Sequence, residues 1–514
     1  MRLLRSSAVV GGLTMVSRIL GFIREMLFAR LIGAGATMDV FLTAFQFPNL
    51  FRRIFAEGAF NSAFVPLYGG KLEDEGEAEA RRFAREVVSV LFTAMLIFVV
   101  AAQLGMPWLM YLIGPGFVDD PGLFQRAVQL TQITMPYLLM MSLSAMFSGA
   151  LNANGKFAVA AAAPVLLNLT LIAIMMLTDF RGEALTFYLS IGITVSGVIQ
   201  TAWIFASMRN VGVRLSLQIP KLTPDVKKLI LLGVPGAIAA GVTQINILIT
   251  SAIATFQPSA RSWLYYADRL YQLPLGVVGI AMGVVLLPTL TGRLNADDKA
   301  GAGNALNRGI EISMALTIPA AVAIATMPGF LVEGLFERDE FTAQDTLMVG
   351  RALIPFAIGL PAFVLIKVLS PGFFARKDTM TPMRFATVSV VVNLVLGITL
   401  FVGPLQYLGL AIATAVAGWV NAGMLGWALH KRGLLRPDAR LLGRLPRVLI
   451  AAGAMGAFLS YAESRADWIT EIVFDHRLAA LLAVAAAGAA IYAIASLLTG
   501  ALRTSEIMDA VRRR

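Results

Sequence analysis

An all-α polytopic membrane protein of about fourteen transmembrane helices is the fold class this sequence predicts, and three observations predict it. The first is composition: 58% of the 514 residues are hydrophobic and 14% charged, where a soluble domain carries about 25% charged residues. The second is spacing, because apolar stretches of about 20 residues, enough to cross a hydrocarbon core as a helix, recur along the whole chain. The third is charge. The two chain ends, Lys156 and the connections at 71–85, 209–228, 293–308, 376–384 and 431–447 hold 28 of the 42 Lys and Arg, while the alternate connections hold six: Arg126, Arg181, Arg261, Arg338, Arg465 and Arg477. Basic residues concentrate on the cytoplasmic side, so the first set, and with it both termini, is expected to face the cytoplasm. The basic start resembles that of a signal peptide, but the apolar part is too long and too interrupted for cleavage to be expected.

In chain order the spans are expected near 7–32, 38–68, 86–112, 127–152, 158–178, 185–207, 228–256, 265–291, 308–329, 347–373, 383–402, 407–429, 445–462 and 477–501. The first two are apolar enough to cross yet carry Arg18, Arg24 and Glu25, then Arg52, Arg53 and Glu57. The acidic run EDEGEAE (73–79) between the second and third reads as a solvated linker. Tracts such as AVAAAAP and AVAAAGAA read as helix-packing surfaces, and the pair Tyr265-Tyr266 as an interface anchor. Pro48, Pro66, Pro136, Pro164, Pro235, Pro274, Pro288, Pro319, Pro355 and Pro361 fall in or near spans and are expected to kink them.

The chain also repeats itself. FVPLYGGKLEDEGEAEARRFAREV (64–87) echoes LLPTLTGRLNADDKAGAGNALNRG (286–309), and the segment at 134–157 echoes that at 353–378. The offset is about 220 residues, or six spans. An even number makes the halves parallel repeats, with a site expected between them. The expected organisation is an N-lobe at 1–210, a C-lobe at 225–432 and a C-terminal helix pair with a basic tail at 441–514.

Several chemistries are excluded. There is no cysteine, and the histidines are His430 and His476, so disulfides, thiolate metal sites and histidine-rich metal sites are out and His-based acid–base catalysis is disfavoured. No metal or cofactor is expected. The net charge of +11 lies in short loops beside hydrophobic spans, which points to an anionic membrane leaflet rather than nucleic acid.

The buried cations are the informative feature. An Arg at the centre of a membrane helix costs roughly 2.5–3.5 kcal/mol on insertion scales, so a set of them must face something other than lipid. Arg53 and Glu57, four apart, can share a helix face, whereas Arg52 points about 100° away and is the freer to meet a ligand. Arg18 and Arg24 diverge by about 240° on a regular helix, and a bend at Gly21 would bring both to one cavity. Asp268-Arg269 is the second half's contribution; being adjacent, the two are expected to need partners on other helices. Arg30 is expected to be paired structurally or to snorkel to the interface, and Lys367 and Arg351 to pair locally or join the site. Asp39 reads as a gate partner or a helix N-cap. Arginines outnumber acids, and the guanidinium fork matches phosphate oxygens two at a time, so the expected ligand is a phosphorylated anion.

At NLFRRIFAEGAFNSAFVP (49–66), with SRILGFIRE before it and YYADRLYQLPLGVVGIAMG and KVLSPGFFARKDTMTP after it, the chain resembles the MurJ (MviN) family of lipid II flippases, within the multidrug, oligosaccharidyl-lipid and polysaccharide exporter superfamily. The resemblance runs from Met1 to about His430. It implies two six-helix lobes and an added helix pair that grooves an undecaprenyl tail. The implied substrate is the lipid-linked peptidoglycan precursor, moved from the inner to the outer leaflet of the bacterial cytoplasmic membrane. It also implies substrate binding by Arg18, Arg24, Arg52 and Arg269, with gating or counter-charge roles for Asp39, Arg53, Glu57 and Asp268. Gln46 and Gln272 depart from it, since some members carry a Lys and a Glu there. The partners implied are lipid II and membrane lipids, and a monomer suffices. Three alternatives stay open: a polysaccharide-unit flippase, a drug/cation antiporter, which would need unpaired acids in the cavity, and a membrane enzyme acting on lipid-linked sugars, which would need a catalytic acid cluster.

Overall fold

The computed structural model describes residues 2–54, 61–209, 217–472 and 476–501, and all its regular structure among them is helical. Contacts divide the chain into two units, one of Met1–Ser262 with Arg338–Phe341 and one of Trp263–Glu337 with Thr342–Arg514.

The first unit contains α1 (Arg2–Ile32), α2 (Ala36–Arg52), α3 (Asn61–Asp74), α4 (Glu77–Leu104), α5 (Met106–Ile113), α6 (Pro121–Thr134), α7 (Pro136–Ala153), α8 (Phe157–Leu177), α9 (Gly182–Arg209) and α10 (Pro224–Ala254). The second contains nearly all of α11 (Ala260–Asn295), then α12 (Lys299–Thr326), α13 (Pro328–Phe336), α14 (Ala343–Leu369), α15 (Pro371–Phe374), α16 (Met380–Val402), α17 (Tyr407–Lys431), α18 (Ala439–Glu463), α19 (Ala466–Ile472) and α20 (Arg477–Thr499). The repeat places a lobe boundary between 210 and 225, whereas the contact boundary falls at Ser262, because α10 packs on α3, α4 and α5.

Ten helical stretches among the described residues are long and apolar enough to cross a membrane, and they coincide with ten of the expected spans. The other four expected spans fall on α1, α2 with α3, α10 and α11. Three of these places hold the intramembrane arginines, whose charge lowers the hydropathy that marks a span. Several spans are broken where proline cannot continue a helix. Pro136, Pro328 and Pro371 each open a new helix in its first turn, where the missing N–H is no loss. Across the second expected span the structure describes α2 and α3, and residues 55–60 between them lie outside the described set.

The core of the first unit is a cluster of Phe47, Phe64, Phe83, Met106, Met135 and Leu138 with their neighbours from α2 to α7. Other faces stay apolar and exposed, as at Val388, Val391 and Val395 of α16. A contiguous apolar face of this kind suits lipid rather than water. Asn393, the polar residue deep in that span, is buried and accepts from Thr414 of α17 at 3.3 Å, a helix-packing bond.

The start of α16 shows how a loop is fixed. Asp378 accepts from Thr381 N at 3.0 Å, from Thr381 Oγ1 at 2.7 Å and from Arg432 Nη1 at 2.7 Å. The Thr381 N–H, its hydroxyl and then Arg432 hold the carboxyl at about 2, below its usual 3.8. A depressed carboxyl stabilises the fold above its unfolded value and loses that contribution as pH falls from about 4 to about 2. Asp378→Ala is therefore expected to cost about 1 kcal/mol at neutral pH, as a lost helix cap does. The gap between mutant and wild type in thermal midpoint should close between pH 4 and pH 2; a pH-independent gap would remove the ionised carboxylate from the account.

Candidate substrate-binding site

In the first unit the site is built on α1, α2, α7, α8 and α9. Arg24 of α1 is half-buried and donates to Asn168 Oδ1 of α8 at 2.7 Å and to Glu25 Oε1 at 2.5 Å. Its guanidinium lies 5.4 Å from the Phe28 ring centroid and 6.0 Å from that of Phe45, distances at which an aromatic face attracts a cation. Asn168 is itself fixed by donating to Ser17 O at 2.9 Å. Arg52, at the last turn of α2, donates to Asn49 Oδ1 at 3.1 Å. Tyr137 of α7 is buried, and Gln200 of α9 hydrogen-bonds its phenol.

Arg18 and Arg53 are placed differently. α1 runs as one helix through Gly21, with Arg18 exposed and Arg24 half-buried. Gly21 instead faces Asn168, which would sit 3.6 Å from a Cβ there. Arg53 is exposed, and Glu57, its expected helix partner, lies outside the described residues.

Asp39 is not the N-cap of α2, which is Gly35. It is 1% exposed and accepts from Ser262 N at 2.8 Å. Beside it is Arg261, 6% exposed, which donates to Leu42 O at 3.2 Å and to Gln46 Oε1 and is the charge nearest in effect to Asp39. The charge bias counted Arg261 as a loop residue; the structure puts it in the first turn of α11, buried against α2. A loop Arg two residues from a run of aromatics gives no sequence signal of this. Arg30, expected to pair structurally or to snorkel, pairs with Asp339 at 2.7 Å.

In the second unit Arg269 and Asp268 sit on α11. Each has a partner on its own helix: Arg269 stands 4.6 Å from the Tyr265 ring centroid, and Asp268 accepts from Gln272. Asp268 also hydrogen-bonds Tyr271, whose ring stacks on Phe356 at 4.9 Å. The interface-anchor reading of Tyr265-Tyr266 fails. Tyr266 is fully buried against Phe336, and Tyr265 carries Arg269. Lys367 lays its stem across Gly279 of α11, where a Cβ would meet its Cδ at 2.5 Å.

Among the described residues no group of His, Cys, Asp or Glu has the arrangement of a metal site. What the arrangement offers chemically is a set of guanidinium groups oriented by amides, phenols and aromatic faces on charge-bearing helices.

Such helices within an otherwise apolar multi-span bundle define a membrane transporter, and solved structures agree on the fold. An inward-facing multidrug resistance MATE family transporter of the MOP superfamily superposes with a TM-score of 0.67 at 14% identity, covering 83% of this chain and 98% of that one. A structure of the lipid II flippase MurJ in an inward closed conformation superposes with a TM-score of 0.79 at 25% identity, covering 96% of this chain and 98% of that one. The family model for the lipid II flippase MurJ matches residues 28–477. A probable lipid II flippase MurJ of Rhizobium meliloti (strain 1021) is 46% identical over 100% of this chain and 97% of its own length. The lipid II flippase MurJ of Burkholderia cenocepacia is 32% identical over 91% of this chain and 92% of its own. The chain belongs to the MurJ lipid II flippase family.

Proposed function

We infer that this protein flips lipid II, the undecaprenyl-pyrophosphate-linked peptidoglycan precursor, from the inner to the outer leaflet of the cytoplasmic membrane by alternating access. Family membership carries the substrate class, and the intramembrane guanidinium of Arg24, oriented by Asn168 beside the Phe28 and Phe45 rings, is the observation that carries the chemistry. Arg18, Arg24, Arg52 and Arg269 bind the pyrophosphate; Asp39, Arg53, Glu57 and Asp268 serve as counter-charges and gates. The protein acts as a transporter without catalytic turnover of its substrate, works as a monomer, and keeps both termini in the cytoplasm. The two lobes rock about the site while α18 and α20 guide the lipid tail. A drug/cation antiporter is disfavoured because the acids described here, Glu25, Asp39 and Asp268, already accept hydrogen bonds from neighbouring groups.

Membrane potential suffices as a driving force. A pyrophosphate bearing about two negative charges gains roughly 4–5 kcal/mol on moving outward across 100 mV, inside negative, at about 2.3 kcal/mol per charge. The emptied cationic site is drawn back by the same field. In proteoliposomes, outward flux of lipid II is expected to rise with an inside-negative potential and fall when it is reversed. Flux indifferent to the potential would end that coupling scheme, and absence of any lipid II flux would end the functional reading itself.

A further inference from the structure

We propose that Arg261 is a further arginine of the transport site, donating together with the Gln46 amide to an oxyanion of the lipid-linked headgroup, its pyrophosphate or a carboxylate of its peptide. The proposal rests on the flippase reading above, and the residues that build this subsite all belong to the first unit.

An arginine in an outer connection ordinarily extends its head toward water and headgroups. Arg261 does the reverse. It stands in the first turn of α11, and its Nη2 donates to Leu42 O at 3.2 Å and to Gln46 Oε1. By the charge bias α2 runs inward from the outer side, so Gln46 lies roughly 10 Å deeper than Asp39 at 1.5 Å per residue. The Asp39 carboxylate meanwhile accepts from Ser262 N at 2.8 Å and not from the guanidinium. Burial to 6% exposure makes the position costly, and so does a place in a first helical turn, where the dipole opposes a cation. A head turned away from water and from the buried acid beside it is placed for another partner.

The depth it reaches is that of the site. The ring of Phe45, the residue before Gln46, lies 6.0 Å from the Arg24 guanidinium. Arg24 and Arg261 therefore flank α2 at one level, against neighbouring residues about 100° apart around its axis. What Arg261 brings there is donors without an acceptor. A guanidinium carries five N–H groups, and those of Nε and Nη1 meet no acceptor among the described residues. Gln46 Nε2 is buried and likewise has no partner among them. Flipping the amide gives no relief, because its oxygen is what holds Nη2. Buried donors left unmatched are costly, and an oxyanion that accepts from both groups offsets that cost.

Purified protein in nanodiscs is titrated with lipid II, and affinity is read beside the thermal midpoint. Arg261→Gln is expected to weaken binding at least tenfold, the effect of one charge-assisted hydrogen bond. Arg261→Lys keeps the charge alone and should fall between. Because Arg261→Gln also deprives buried Asp39 of a counter-charge, the deciding comparison is Asp39→Asn against Asp39→Asn with Arg261→Gln. These two should share a midpoint and still differ at least tenfold in affinity. Gln46→Glu supplies an acceptor from within the protein, so it should leave the midpoint no lower and weaken lipid II binding. Lipid II with its peptide carboxylates amidated identifies the oxyanion: a loss from Arg261→Gln that persists assigns the pyrophosphate, and one that vanishes assigns the peptide. Affinity within twofold of the matched background, or affinity that recovers together with the midpoint, overturns the proposal and makes Arg261 a counter-charge for Asp39 alone. Wild-type protein that binds no lipid II ends the functional reading instead, and the subsite falls with it.

Discussion

Arg24→Ala is expected to reduce lipid II flux in proteoliposomes about a hundredfold or more. The fork of Arg24 offers two charge-assisted hydrogen bonds to a pyrophosphate, and losing about 3 kcal/mol of such binding corresponds to that factor. Arg24→Lys keeps the charge without the fork and should fall between. The complication is Glu25, which is 3% exposed and bonded to Arg24: removing the arginine deprives a buried carboxylate of that cation and is expected to lower stability too. The double variant Arg24→Ala with Glu25→Gln separates the two effects. It should regain the thermal midpoint, because the carboxylate charge is gone, and should not regain flux. Recovery of flux would make Arg24 a partner of Glu25 and nothing more. Asn168→Ala, which removes the bond that aims Arg24, is expected to cost less than tenfold, because the cation is kept and the aromatic faces of Phe28 and Phe45 still constrain it.

Much of this was legible in the residues. Arginines in otherwise apolar spans are costly enough to identify Arg24, Arg52 and Arg269 as purposeful, and the alternation of basic loops placed ten spans where apolar helices lie. What the residues could not show was who orients those arginines. Asn168 is an ordinary member of an apolar span, 144 positions from Arg24, and only packing of α1 on α8 makes the two neighbours. The rule that adjacent residues cannot share a helix face was applied correctly to Asp268 and Arg269. It missed that each could turn to its own helix four residues away, toward Gln272 and Tyr265. Arg261 was hidden for a different reason: a basic residue next to an expected span end reads as a topology signal, and nothing in its neighbours distinguishes that from a buried partner of Gln46 and Leu42.

Glu311→Ala is expected to destabilise the second unit by about 3–5 kcal/mol, the cost of breaking a buried ion pair by removing one partner. Glu311 on α12 is 5% exposed, and Arg308, Arg440 and Arg444 all converge on its carboxylate, with Arg308 also reaching Asp438. The three arginines are not equivalent. The side chains of Arg308 and Arg440 are 27% and 48% exposed and can turn to water when the glutamate is lost. Arg444 is 8% exposed and cannot, so most of the cost is its uncompensated charge. Glu311→Ala with Arg444→Met should therefore recover most of the thermal midpoint, whereas Glu311→Ala with Arg440→Met should recover little. Equal recovery in both would mean that the charge is shared across the cluster. The cluster ties the first turns of α18 to α12, and α18 packs along both α12 and α20. Glu311→Gln keeps the volume and one acceptor but not the charge. If α18 must stay fixed while the lobes rock, this variant should lose flux in proportion to its loss of stability.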